Sequence, residues 1–494
     1  MLQAAVSDGV SSIRGQWQDK DSVGLSRLVA LFAACMAVGV LAGASPAYGL
    51  LAVLGLAFAA VVIASPMLGL ILFTVLSFLE VLQSGGAASS LMKVAGLLLF
   101  GSWLARTATT RTLRDSRSLL RCTPTVVWSA VALVAWSTIS LAWAGDSSSA
   151  ISDTYRYVLN MLLVPIVFGT VRTRNHVIWL ASAFVFGAVI SSLYGFAVPT
   201  ASTGLQAGQL TGAIGVANEE AAVLVGAIAF AFGLVGVLRT APLARLLAAL
   251  GILIALAGAV NTLSRSGLIA LAAMMIAGVI AGGRWRRWAA LLLILNVVVG
   301  IGYYFTITSS STRARVTSSD TSGRSTIWTV GWRMFKDHPV IGVGSGNFQS
   351  ASIHYLQAPG ALTRTDLIVD TPKVAHNVYL ELLADLGIPG LVAFLVLVVG
   401  SLAAAWRAAQ IFLRSGDPDL ELMSRCVVLA IVGFMTSNFF LSGEYSKQLW
   451  LVLALGPTLL GMALKREAQV TAVSEPVVSF DDDAAFAGRA QESA

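Results

Sequence analysis

His376 is the side chain in this sequence best suited to moving a proton. It stands in "TPKVAHNVYLELLADLGIPG", residues 371–390, at the entry to a strongly apolar run. An imidazole exchanges its proton near neutral pH, which suits general-base work or the orientation of a hydroxyl group. A histidine that only ties down a loop is the alternative. Asn377, Glu381 and Asp385 recur at i, i+4 and i+8 as one polar stripe, with His376, Tyr379, Leu380 and Leu383 on the neighbouring face. Asn377, Tyr379 and Glu381 are therefore candidate substrate-binding residues. Thr371 as N-cap, Pro372 at the first helical position and Gly387 followed by Pro389 predict a short helix here.

Cations complete the set. In "AVNTLSRSGLIALAAM", Arg265 sits between two apolar runs. An arginine at the hydrocarbon boundary costs a few kcal/mol unless it snorkels or finds an anion. Its planar fork matches a phosphate, and Ser264 and Ser266 beside it offer hydroxyls. Arg324, in "SGRSTIW", precedes a predicted helix, and a helix N-terminus favours anions. Arg156 in "YRYVLNM" and Lys93 in "LMKVAG" lie near the same ends of their spans. The four could surround one anion, or none. Asn218, Glu219 and Glu220, in "GQLTGAIGVANEEAAVLVG", could bind a sugar, shuttle protons or face a water-filled cavity. "GVGSGNF", residues 342–348, reads as a flexible turn or as a backbone nest for an anion.

The elements that must position these groups are membrane helices. Of 494 residues, 56% are hydrophobic and 12% charged, against roughly 25% charged in soluble domains. Continuous apolar runs predict spans at 25–43, 47–64, 66–82, 91–105, 125–143, 155–171, 176–198, 214–237, 241–262, 266–283, 287–307, 388–406, 424–441 and 446–464. The stretch 47–82 also reads as one hairpin. The expected fold is all-α, a polytopic membrane helix bundle of about 12–14 spans with one long extracytoplasmic loop containing short amphipathic helices. Its regions are a cytoplasmic N-terminal tail (1–24), a helix bundle (25–307), the loop (308–387), C-terminal membrane helices (388–464) and a disordered cytoplasmic tail (465–494). The first span reads as an uncleaved anchor.

Charge sets the orientation. With the N-terminus in the cytoplasm, 21 of 32 Lys and Arg fall on that side, and seven of the other 11 lie in the long loop. The net charge of +7 thus reflects topology, and no nucleic-acid partner is implied. Three cysteines, Cys35, Cys122 and Cys426, imply no disulfide framework, and no metal-ligand spacing stands out. The loop begins with the polar "TSSSTRARVTSSDTSGRS", expected to be flexible. In "STIWTVGWRMFKDHP", Ile327, Gly331, Met334 and Phe335 then share one face of an amphipathic helix, expected at the outer membrane interface and ended by Pro339.

Three stretches in this order, "LSRSGLIAL" (263–271), "GRSTIWTVGWRMFKDHPVIGVGSGNF" (323–348) and "AHNVYLELLADLGIPG" (375–390), resemble the O-antigen ligase and polymerase family of bacterial membrane glycosyltransferases. The resemblance covers about 210–390. It implies transfer of glycan from an undecaprenyl-diphosphate carrier to a glycan, lipid or protein acceptor, outside the cytoplasmic membrane and without a cofactor or metal. Arg265 and Arg324, with Arg156 and Lys93, would then be diphosphate ligands. His376 would orient or deprotonate the acceptor hydroxyl, and Asn218 and Glu219 would join Asn377, Tyr379 and Glu381 at the substrate. One departure concerns the family's R-x-x-G…P-N pattern, where this chain has Gln209 and Ala217. A secondary transporter using Glu219, Glu220 and Arg265 is the rival reading, although the sequence lacks the two corresponding halves such proteins carry.

Overall fold

Proline opens helix after helix. Pro46, Pro66, Pro124, Pro242 and Pro418 each stand at the first helical position, where a missing N–H costs nothing. Other starts are capped by side chains: Asp146 accepts from Ser148 N at 3.0 Å, Thr173 from His176 N at 3.2 Å and Asp417 from Leu420 N at 3.1 Å. The structure, a computed structural model, describes residues 36, 43, 45–80, 89–109, 113–198, 208–306, 324–356, 366–370 and 373–474, among which no strand occurs. Its main helices are α1 (Pro46–Ala64), α2 (Pro66–Leu76), α3 (Ser89–Thr109), α4 (Leu113–Cys122), α5 (Pro124–Ile139), α6 (Ser147–Thr170), α7 (Arg174–Ala197) and α8 (Ala217–Val237). They continue with α9 (Pro242–Asn261), α10 (Arg265–Ala281), α11 (Arg286–Thr306), α12 (Arg324–Asp337), α13 (Val378–Arg414), α14 (Pro418–Ser437) and α15 (Lys447–Ser474).

This is a multi-pass membrane protein with a helical bundle, as expected, but fewer of its helices have spanning length than the sequence suggested. Among the described residues seven are long and apolar enough to cross a membrane: Pro124–Ala142, Arg174–Ala197, Ala217–Val237, Pro242–Asn261, Val378–Arg414, Pro418–Phe440 and Lys447–Val470. A pair bent by 117°, Arg265–Ala281 with Gly283–Ile294, makes eight if it is one span. The shortfall is physical. α2 has 11 residues, about 16 Å against a hydrocarbon core of about 30 Å, and α6 carries Asp153 and Arg156 in its first half and Asn160 near its middle. The expected span 25–43 lies almost wholly outside the described residues. So do the polar start of the long loop and the tail beyond Ser474; before that point α15 continues through the first ten residues of the expected tail.

The core is built from α8, α14 and α15, which are mostly buried, while α5 and α9 turn many side chains outward. Gly226 and Gly233 let α8 close on α14: a Cβ at either would stand 2.7 Å from Phe434 or 2.9 Å from Cys426. Polar groups then sort to two ends. At one, Arg174 pairs with Asp419 (2.8 Å), Arg284 with Glu421 (2.7 Å), and Arg425 with the same Glu421 (3.0 Å). At the other meet the N-termini of α6, α8, α10, α12 and α13, joined by Asp146 N to Asn347 Oδ1 (2.6 Å), Leu210 N to Asn261 O (2.9 Å) and Val378 N to Leu441 O (3.1 Å). Every candidate site residue with a described side chain belongs to this second end.

Candidate active site

Two of the candidate residues open helices and a third lies just before one. Arg265 is the first residue of α10, whose cap Ser264 accepts from Gly267 N at 3.2 Å. Ser264 also donates to Asn218 Oδ1 (2.7 Å) and shares a hydrogen bond with Ser266 (2.8 Å), so the two serines and Asn218 fix the turn, and Arg265 is left exposed. Arg324 is the first residue of α12, half-buried, with its guanidinium 5.9 Å from the Phe440 ring centroid. His376 precedes α13, which begins at Val378 with Asn377 as cap, accepting from Leu380 N at 3.1 Å. That corrects the expected start at Thr371 and Pro372, which lie outside the described residues. The expected stop is present: Gly387 (φ 65°, ψ −165°) is non-helical and breaks α13 into a short first helix and a longer second one that runs to Arg414.

The backbone is strained at both ends of this group. Leu263 (φ 50°) and His376 (φ 48°) are the two non-glycine residues in left-handed conformation among the described residues, a state costing about 1–3 kcal/mol that surrounding contacts must hold. Around His376 the contacts are plain. Trp328 of α12 donates Nε1–H to Ala375 O (3.0 Å), Leu441 O accepts from Val378 N, Ser442 donates to Glu381, and Tyr379 donates its hydroxyl to Met435 O (2.9 Å).

Electrostatics tie the three groups together. Burial, then the like charge of Arg265, lowers the basicity of the Arg324 guanidinium. Burial, then Arg324 and Lys373, pushes the His376 imidazole down to about 4. The imidazole is therefore neutral at ordinary pH, beside a pair of cations at helix N-termini where anions are stabilised.

A second group lies across the 438–446 turn. A cavity of about 540 Å³ has Glu80, Arg156, Glu219 and Lys447 on its polar lining and Phe73, Leu163, Ile166 and Phe434 on its apolar lining. Within it Lys447 pairs with Glu80 (2.8 Å) and Arg156 with Asp153 (3.3 Å), while Arg156 lies 5.4 Å from the Tyr445 ring centroid. Glu220, by contrast, is fully buried and accepts from Ser191 (2.6 Å) behind the 208–216 turn.

The glycine-rich segment is neither a loose turn nor an open nest. Val343 N and Gly344 N donate to Ala384 O and Asp385 O (both 2.9 Å), and Gly346 N to the Asp385 carboxylate (2.9 Å). The group that fills the nest is the protein's own Asp385 carboxyl. Trp136 Nε1 donates to Leu386 O (2.8 Å) and Ile388 N to Pro339 O (2.9 Å), which completes a clasp around the α13 kink.

Sequence reasoning named Arg265, Arg324 and His376, and the fold brings them to one place with Asn218, Asn377, Tyr379 and Glu381 as their supports. Arg156 and Glu219 belong to the cavity across the turn. Lys93 lies in α3, and its side chain lies outside the described residues. The amphipathic helix forms with Ile327, Gly331 and Met334 buried and Phe335 partly so. Sequence reasoning missed Glu80, Lys447 and Glu444. The last is buried, and desolvation with neighbouring Glu381 holds its carboxyl well above the usual carboxylate range. The cue was the polar run "SGEYSKQ" between two apolar stretches.

Comparison with known proteins finds a family match over part of this region. Residues 250–395, which hold α10, α12, the glycine clasp and the start of α13, match the family model described as O-Antigen ligase. No curated protein matches the chain. The matched region contains Arg265, Arg324 and His376, so in this part the chain is similar to the O-antigen ligase family, and with the several apolar spans around it the match supports a membrane enzyme of surface polysaccharide assembly.

Proposed function

We propose that the protein transfers glycan from an undecaprenyl-diphosphate carrier to an acceptor hydroxyl at the extracytoplasmic face of the cytoplasmic membrane, as a polymerase or a ligase. The observation that carries this reading is the pairing of like charges. Arg265 and Arg324 head separate helices, yet lie close enough for one to depress the basicity of the other. A diphosphate between them turns mutual repulsion into attraction, and both helix N-termini add to it.

The chemistry follows from the groups. The acceptor oxygen attacks the anomeric carbon, the carbon–oxygen bond to the diphosphate breaks, and the electron pair leaves with the phosphate, where the two guanidiniums stabilise the growing charge. Direct attack inverts the anomeric configuration. His376, neutral before substrate arrives, accepts the hydroxyl proton. The anionic donor also offsets the charge of Arg324, so it raises the imidazole's affinity for that proton as the complex forms. Nothing in this scheme calls for a metal ion. The cavity with Glu80, Arg156, Glu219 and Lys447 suits sugar hydroxyls on its polar side.

The test combines turnover with product. His376→Ala should remove transfer of glycan from a lipid-linked donor by purified protein in nanodiscs, with the variant still folded in the membrane. Wild-type turnover in that variant would overturn the proton role. Mass spectra of undecaprenyl carriers after gene deletion separate the two forms of the reaction: single repeats indicate a polymerase and long chains a ligase.

A further inference from the structure

The end of the bundle opposite the candidate site holds a second built cavity, of about 310 Å³, between the end of α6, the start of α7, the α13–α14 turn and the C-terminal half of α15. Four cations line it, Arg172, Arg174, Lys465 and Arg466, against one acid, Asp417. That acid is engaged as the cap of α14, accepting from Leu420 N at 3.1 Å. Phe168, Phe412, Leu420 and Met462 supply an apolar wall. Gly461 lets the Phe168 ring close on α15 as part of this wall: a Cβ there would stand 2.8 Å from the ring. Arg172 is oriented by donating Nε–H to Gly169 O (2.6 Å), and Arg174 by its pair with Asp419.

We propose that this cavity binds the phosphodiester headgroup of an anionic phospholipid, with the start of an acyl chain against the apolar wall. A basic pocket between membrane helices at the membrane surface is the arrangement that recognises such headgroups. The apolar wall decides between a lipid and a free phosphate, since an inorganic anion gains nothing from Phe168 and Met462. Nothing in glycan transfer uses these residues, and the inference stands apart from that reading.

The experiment is lipid binding and thermal unfolding of the full-length protein, with phosphatidylglycerol, phosphatidylcholine and inorganic phosphate as probes. Phosphatidylglycerol should raise the unfolding temperature and remain bound in native mass spectra, phosphatidylcholine should do neither, and the Lys465→Gln/Arg466→Gln double variant should weaken phosphatidylglycerol binding about tenfold or more. Arg245→Gln, at the same end but outside the cavity, should bind as the wild type does and guards against a general charge effect. Equal binding of the two lipids, an unchanged double variant, or stabilisation reproduced by inorganic phosphate would overturn the proposal. A lipid-independent shift on replacing Asp481, Asp482 and Asp483 by Asn would assign the cavity to the chain's own acidic tail instead.

Discussion

At Arg324 and His376 two ionisations are set by one another. The imidazole is held at about 4 by burial and then by Arg324, so removing that charge should let it bind a proton more readily. Four histidines make the measurement tractable. In an NMR titration of histidine-labelled protein, the His376 signal should titrate near pH 4 in the wild type and at a higher pH in Arg324→Gln. A signal that stays in place would mean the two groups do not interact. The same sign carries into kinetics. For the free enzyme, kcat/KM should fall only as the pH drops towards 4, and the acid limb of kcat should lie at higher pH, because bound diphosphate stabilises the imidazolium. Acid limbs in the reverse order would contradict the scheme. The residue types were legible in the sequence, since a histidine and arginines at the mouths of apolar runs have few cheap explanations. The left-handed backbone at His376 was not, because it follows from Trp328, Leu441 and Asn377 acting together across distant segments.

At the level of elements, α12 is the arm that holds the His376 turn. Its Trp328 indole makes a single hydrogen bond to Ala375 O, worth about 1 kcal/mol. Trp328→Phe should therefore leave the fold nearly intact and lower turnover by roughly tenfold, through a misplaced imidazole. Equal turnover at equal folded yield would show that the turn needs no such tether. Gly387 is the other hinge of the arrangement. With φ 65° and a would-be Cβ 2.2 Å from Val340 O, Gly387→Ala should cost at least about 1–2 kcal/mol and lower the unfolding temperature; an unchanged midpoint would contradict the clasp. Here the sequence was half legible. Gly387 and Pro389 signalled a break, and α13 is broken at Gly387, with a second helix following directly after it. "GVGSGNF" signalled a nest, but the carboxyl that fills it, that of Asp385, lies 39 residues from the amide it receives, and local patterns do not show such a partner.

Across the whole molecule, the long apolar runs gave the helical bundle, and the distribution of cations anticipated its two ends. The number of helices able to cross a membrane was harder to read, because α2 and α6 look apolar enough in short windows yet are too short or too polar along their lengths. The end remote from the candidate site contributes stability: buried Glu421 joins Arg284 of the α10–α11 bend to Arg425 of α14. Glu421→Ala strands the buried Arg425 and should cost about 3–5 kcal/mol, seen as a lower unfolding temperature with the candidate site's chemistry unaltered in the protein that remains folded. The central claim is that Arg265 and Arg324 hold a diphosphate together. The most direct measurement is the binding of an undecaprenyl-diphosphate-linked glycan, against its monophosphate counterpart, to the wild type, Arg265→Gln and Arg324→Gln in nanodiscs. The account predicts that the wild type prefers the diphosphate and that each substitution weakens its binding by about tenfold or more; equal affinity in all three proteins, or no preference for the second phosphate, would contradict it.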